Sequence, residues 1–200
     1  MSHNTWLHRL VRIGVIPLVN TPVTPNQITT LRLLTGVACA ALFALGPAWH
    51  LYAALLFVVS MLLDRADGVL ARITGKTTPW GHRYDLFSDG FSNALVFIGI
   101  GVGLRDSALG LWSIPMGFLA GLAVAMILWL VVKVERLEGQ RAAELGNLAG
   151  FDPDDAMLVV PLAVILGWAK ALLMAAAIGA PAFAIFMGLH FRSKLRNPSS

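Results

Sequence analysis

Charge is what this sequence has least of. Asp, Glu, Lys and Arg together make up 13% of the 200 residues, against 57% hydrophobic. A soluble domain carries roughly a quarter of its residues as charges, so a soluble globular fold is excluded. Cysteine is nearly absent too. The single Cys39 lies in an apolar run, which rules out an internal disulfide and reads as packing rather than as a reactive thiol. The alternating short segments of a membrane β-barrel are missing, because the apolar runs are continuous. No repeat of fixed period and no low-complexity tract is visible. A cleavable signal peptide is not expected, since Arg9, Arg12 and Pro17 interrupt residues 1–20. The basic excess is only +4 and gathers in short loops, which suits anionic lipid and membrane topology and gives no role to nucleic acid.

What is present is an all-α integral membrane chain with a mean hydropathy of +0.73. Residues 3–19 read as an amphipathic helix on the membrane surface. Trp6, Leu7, Leu10, Val11 and Gly14 lie on one face, and His8, Arg9 and Arg12 form the polar side. A frayed polar tail is the alternative. Six spanning helices are then expected, over about 25–46, 50–74, 80–104, 109–133, 155–169 and 171–190. Thr24 is placed as the cap of the first, with Pro25 at its first position. Lys133 to Asp155 reads as a structured loop or a helix extension. The expected organisation is a juxtamembrane helix over 1–20, a six-helix catalytic domain over 21–192 and a basic tail over 193–200. Cationic residues crowd one side: Arg9, Arg12, Arg72, Lys76, Arg83, Lys133, Arg136, Arg141 and the tail. The other side has Arg105 and Lys170. The positive-inside rule therefore puts both termini in the cytoplasm.

The acidic residues are few, and four of the eleven fall within the 26 residues from Asp64 to Asp89. A charge at the bilayer centre costs roughly 2.5–3.5 kcal/mol on insertion scales, so such a cluster needs a compensating function. Asp64, Asp67, Gly68 and Ala71 share one helical face, and Asp85 and Asp89 stack one turn apart on the next helix. Like charges at those separations repel unless a cation lies between them. Carboxylate oxygens suit Mg²⁺ or Mn²⁺, and four of them could hold two such ions against a diphosphate. Arg72 offers a forked donor set to phosphate, and Gly68, Ala71 and Gly81 let a nucleotide approach the backbone. The plain alternative is ordinary helix-end charge, with Asp64–Arg65 and Asp85–Arg83 satisfying one another.

The pattern Asp64-x2-Asp67-Gly68-x2-Ala71-Arg72-x8-Gly81-x3-Asp85-x3-Asp89 resembles, without a departure, the signature of the CDP-alcohol phosphotransferase (phosphatidyltransferase) family. The Thr-Pro-Asn opening of the first helix extends the likeness over nearly the whole chain. The resemblance implies a transfer from a CDP-linked lipid donor, such as CDP-diacylglycerol, to an alcohol acceptor with release of CMP. It implies two divalent cations held by Asp64, Asp67, Asp85 and Asp89, with Asp89 also the general base. Asp64, Gly68, Ala71, Arg72 and Gly81 would line the CDP pocket, with Thr78 a further contact. It implies a homodimer in the cytoplasmic (inner) membrane, with the active site on the cytoplasmic side.

The acceptor is less legible. Arg32, Lys133, Arg136, Arg192 and Lys194 are candidates to hold a phosphorylated alcohol, with an inositol-type or glycerol 3-phosphate-type acceptor favoured. Positive-inside anchoring explains most of them equally well, and Arg32 could instead be a structural pair. Asp152, Asp154 and Asp155 suit a helix N-terminus better than a second acidic site. His82 reads as loop-facing, and Trp80, Trp112, Trp129 and Trp168 as an interfacial belt. Two rival functions use the same aspartates: a membrane prenyltransferase and a cation transporter. The first does not require the Gly-x2-Ala-Arg-x8-Gly segment. The second is disfavoured by the cluster's place at one membrane boundary.

Overall fold

The computed structural model describes residues 6–138 and 157–191, with side-chain surroundings for 11–133 and 157–191. It is all helical, with no strand among the described residues. Seven α-helices occupy them: α1 (Trp6–Val15), α2 (Pro25–Ala44), α3 (His50–Thr74), α4 (Pro79–Gly103), α5 (Ser113–Glu138), α6 (Val159–Ile165) and α7 (Ala169–His190). Short 3-10 turns lead into α3 and α5.

The starts of these helices are written in local chemistry. Thr24 accepts from the Gln27 amide at 3.4 Å while the Gln27 side chain accepts from the Thr24 amide at 2.9 Å, a reciprocal cap with Pro25 behind it. Thr78 accepts from the Gly81 amide at 2.9 Å and starts α4 at Pro79. Gly75, at φ +66°, ends α3 in the left-handed conformation. The 25–46, 50–74 and 80–104 expectations therefore match α2, α3 and α4 to within two residues. The helix expected over 109–133 runs on to Glu138, because Val134 to Glu138 are helix-compatible residues with no breaker among them. The fifth expected span is shorter: helix is described over Val159–Ile165, about 10 Å of rise, before a turn at Gly167 with φ +78°. Residues 139–156, including the proposed cap at Asp152, and the tail from 192 lie outside the described residues, as do residues 1–5.

Among the described residues, four helical segments are long and apolar enough to cross a membrane by length and composition: Pro25–Ala44, Pro79–Gly103, Gly110–Lys133 and Ala169–His190. α3 is long enough but carries the acidic stretch in its C-terminal half. Leucines such as Leu34, Leu122 and Leu189 stand exposed on the outer faces. So large an apolar surface belongs in lipid, and the chain is a multi-pass membrane bundle.

α4 lies at the centre. It packs against α2 on one side and α5 on the other, α2 also packs on α3, α7 packs on α5, and α6 packs on α3. The contacts of α4 are backbone to backbone. A Cβ on Gly99 would strike the Ala40 carbonyl, and one on Gly103 the Phe43 carbonyl. The apolar centre is built from Phe43, Phe57, Val96, Phe97, Ile100 and Leu173. Cys39 is fully buried there, its thiol donating to the Ala53 carbonyl at 3.2 Å, which is a packing role. A second cluster joins Val11 and Val15 of α1 to Ile28, Val69 and Leu70. It fixes α1 beside the acidic stretch. Arg105 donates to the Ala44 and Val102 carbonyls at 3.1 and 3.0 Å, closing the opposite end of the bundle.

Candidate metal centre

The acidic stretch becomes a site because α3 and α4 present their carboxylates to the same point. Asp64, Asp85 and Asp89 each bring one oxygen into a group whose members lie within 4.8 Å of one another, all half-buried. Asp85 and Asp89 come together through the one-turn spacing of a helix, and Asp64 joins them through the packing of α3 and α4 around α2. The donor set is oxygen only and triply anionic. That is the chemistry of a hard divalent cation such as Mg²⁺ or Mn²⁺, and the residues fit one.

Asp67 is not in that trio. It is 3% exposed and turns toward α2, where the Thr29 hydroxyl donates to its Oδ2 at 2.6 Å. Thr29 thus fixes the orientation of one carboxylate of the signature.

α2 also supplies a cation. Arg32 is 4% exposed, with its Nε 3.0 Å from Asp64 Oδ1 and its Nη2 paired with Asp89 Oδ1. One guanidinium therefore ties α2 to both α3 and α4 at the centre of the acidic group. Asp64 thus has a tertiary partner from α2, beyond the helix-end neighbours of the plain alternative. The backbone that carries Arg32 is itself held. Ser60 and Thr35 donate to the Arg32 carbonyl at 3.2 and 2.8 Å.

The remaining expected residues sort by place. The Arg72 guanidinium lies 3.7 Å from where a Cβ on Gly68 would be, so Arg72 folds back over the glycine. Ala71 is half-buried and Arg72 is exposed. Gly81 has a packing reason of its own. A Cβ there would lie 2.9 Å from Asn26 Oδ1 and 3.0 Å from Thr78 Oγ1, so the glycine lets the start of α4 meet the start of α2. Thr78 is exposed and engaged as the α4 cap. Lys133 lies over the Trp129 ring of its own helix at 4.7 Å. The Arg136 side chain, Arg192 and Lys194 lie outside the described residues, as do Asp152, Asp154 and Asp155.

Three residues emerge that the motif reading left unassigned: Asn26, Thr29 and Tyr84. Tyr84 and Thr30 share a hydrogen bond at 2.9 Å between the second turns of α4 and α2. A signal was present for the α2 residues. Pro25, Thr29, Arg32 and Gly36 recur at helical spacing, and all four are buried.

A family model described as CDP-alcohol phosphatidyltransferase matches residues 22–189. Over 180 residues, 86% of this chain, the sequence is 28% identical to the bifunctional IPC transferase and DIPP synthase of Aquifex aeolicus. Over 94 residues, 47% of this chain, it is 35% identical to the archaetidylinositol phosphate synthase of Pyrococcus horikoshii. The matched segments cover 40% and 48% of those two relatives, so the chain accounts for less than half the length of either.

Proposed function

The chain belongs to the CDP-alcohol phosphatidyltransferase family, and on that premise we propose that it transfers a phosphatidyl (substituted phosphate) group from a CDP-linked lipid donor to an alcohol, releasing CMP. CDP-diacylglycerol is the donor type that suits carboxylates carried toward the ends of membrane helices, in the C-terminal half of α3 and the first turns of α4. The observation that carries this reading is the convergence of Asp64, Asp85 and Asp89 on one point.

Asp64, Asp85 and Asp89 would hold a divalent ion, and a second ion would draw in Asp67. When bound, such ions neutralise the diphosphate and stabilise the departing CMP oxygen. Asp89 accepts the proton of the acceptor hydroxyl as its oxygen attacks the lipid-side phosphorus and the bond to CMP breaks. Thr29 keeps Asp67 from rotating. Arg72, folded over Gly68, meets the phosphate with its forked donors. Gly68, Ala71 and Gly81 leave the nucleotide room along the backbone, with Thr78 at its edge.

The name of the Pyrococcus relative includes inositol phosphate. It supports an inositol-type acceptor over a glycerol 3-phosphate-type one. Lys133, Arg136 and Arg192 are the proposed contacts for the acceptor phosphate, with Arg32 at the boundary between acceptor and donor. The chain is proposed to cross the cytoplasmic membrane six times, with α3 and the segment around α6 completing the count and α1 lying on the cytoplasmic surface. Both termini and the site face the cytoplasm, and two copies form a dimer. The test is an acceptor screen by lipid mass spectrometry, using purified full chain, CDP-diacylglycerol and Mg²⁺ or Mn²⁺. The expected result is CMP together with a phosphorylated inositol lipid. Donor binding without CMP release for any polyol, sugar phosphate or amino alcohol would reject the reading.

A further inference from the structure

Arg32 does not simply neighbour the acidic site. Its guanidinium is held by Asp64 Oδ1 and Asp89 Oδ1, oxygens of two of the three carboxylates that converge. We propose that Arg32 is a built-in counter-cation of this site, competing with a divalent ion for Asp64 and Asp89, and that the donor's diphosphate draws the guanidinium away and so couples nucleotide binding to metal binding. The inference rests on the metal-site reading above and adds a coupling that this reading does not require.

The competition follows from contact. A guanidinium and a metal ion cannot both sit against the same carboxylate oxygens without repelling one another. Arg32 cannot yield by losing a proton, because a guanidinium is not deprotonated in proteins. It cannot yield by moving its helix, either. The Thr24–Gln27 cap fixes the start of α2. One turn past Arg32, a Cβ on Gly36 would lie 2.6 Å from Ser92 Oγ, so α2 and α4 are already in close contact there. Only the side chain can swing. A buried guanidinium swings if another anion accepts it, and the anion this reaction brings is a diphosphate. Phosphate oxygens accept the parallel N–H fork of arginine, and Arg32 Nη1 is buried with no hydrogen-bond partner. Two opposite charges then change hands: the guanidinium passes to the diphosphate, and the aspartates pass to the metal. By linkage, the metal must favour the diphosphate as strongly as the diphosphate favours the metal.

Manganese binding tests this without turnover. Detergent-solubilised full chain is titrated with Mn²⁺ and free ion is read by electron paramagnetic resonance. The titration is run alone, with cytidine and with CDP, and CDP's own Mn²⁺ binding is subtracted from a protein-free run. In the wild type, CDP tightens Mn²⁺ binding about tenfold, within the usual range for coupled sites, and cytidine does not. In Arg32→Met, Mn²⁺ binds about tenfold tighter without nucleotide, and CDP adds less than about twofold. The variant also loses thermal stability in chelator and recovers it in Mn²⁺, because only the ion then balances the aspartates. If Arg32→Met does not fold, Arg32→Lys serves, since one ammonium cannot bridge both carboxylates. It should show tighter Mn²⁺ binding and weaker CDP coupling than the wild type. Either variant matching the wild type in both titrations overturns the proposal and leaves the metal site standing. No Mn²⁺ binding to the wild type, even with CDP, removes the metal site and the proposal with it.

Discussion

α4 and α7 are both apolar and both long enough to cross a membrane, yet the bundle treats them oppositely. Of the most apolar stretch of each, 44% is buried in α4 and 11% in α7. α4 approaches its neighbours through glycine, so closely that Gly99 and Gly103 face the carbonyls of Ala40 and Phe43. Gly179 and Gly188 of α7 face open space. Pro181 lies inside α7, and between α7 and α5 lies an apolar cavity of about 400 Å³, lined by Leu122, Met126, Pro181 and Ile185 among others. α7 is the more apolar of the two, but hydropathy does not say which faces meet protein, because lipid and protein interior are both apolar. What separates them is where their glycines fall, because a glycine facing a neighbour's backbone sets how near two helices come, while α7 is as rich in small residues and makes no such approach at Gly179 or Gly188. The aspartates stand on the tightly packed side. Positions that must be held to a fraction of an ångström are thus carried by α2, α3 and α4, and the outer side of the bundle is left loose.

The contrast can be attacked at four points. Asp89→Asn strikes the chemistry on α4 and should lower CMP release by roughly 10²–10⁴-fold while CDP-lipid binding persists. Loss of all binding would make Asp89 a metal ligand alone. Gly103→Val strikes the packing of the same helix. Its side chain has a carbonyl in the way and should cost about 3 kcal/mol, read as a fall in the thermal unfolding midpoint in detergent. Thr29→Val removes the hydroxyl that holds Asp67 and should weaken Mn²⁺ binding by about 10- to 100-fold with little change in fold. The smallest effect belongs to α7. Gly188→Ala should be neutral or stabilise by up to about 1 kcal/mol, since the new methyl meets nothing and alanine is the better helix former. Equal destabilisation by a glycine substitution in α7 and one in α4 would dissolve the distinction.

How much of this was legible in the sequence depended on distance along the chain. The cap at Thr24 is a short-range signal, and the helices expected over 25–46, 50–74 and 80–104 lie within two residues of where the sequence puts them, with Gly75 and Thr78 as the local devices that end α3 and start α4. The aspartate spacing is also local, so Asp85 and Asp89 could be placed on one face by counting. What could not be counted is how helices meet. Asp67 shares the face of Asp64 on paper, yet it turns to Thr29 because α2 passes close on that side. Arg32 could be a snorkelling cation, a substrate contact or a structural pair. Its partners are 32 and 57 residues away, and no local pattern names them. Gly81 looked like nucleotide clearance, and it also serves the meeting of α2 with α4. The stretch past Lys133 stood open between a loop and a helix extension for another reason, and α5 runs on to Glu138. A polar sequence of good helix formers has the same composition as a loop.

The most direct test of the account is the metal dependence of CMP release by the wild-type chain acting on CDP-diacylglycerol with an inositol phosphate acceptor. The account predicts release that stops in chelator and returns with Mg²⁺ or Mn²⁺. It also predicts that release falls to background when Asp64, Asp85 or Asp89 is changed to Asn. Release that continues undiminished in chelator, or that survives loss of any of these three carboxylates, would contradict it.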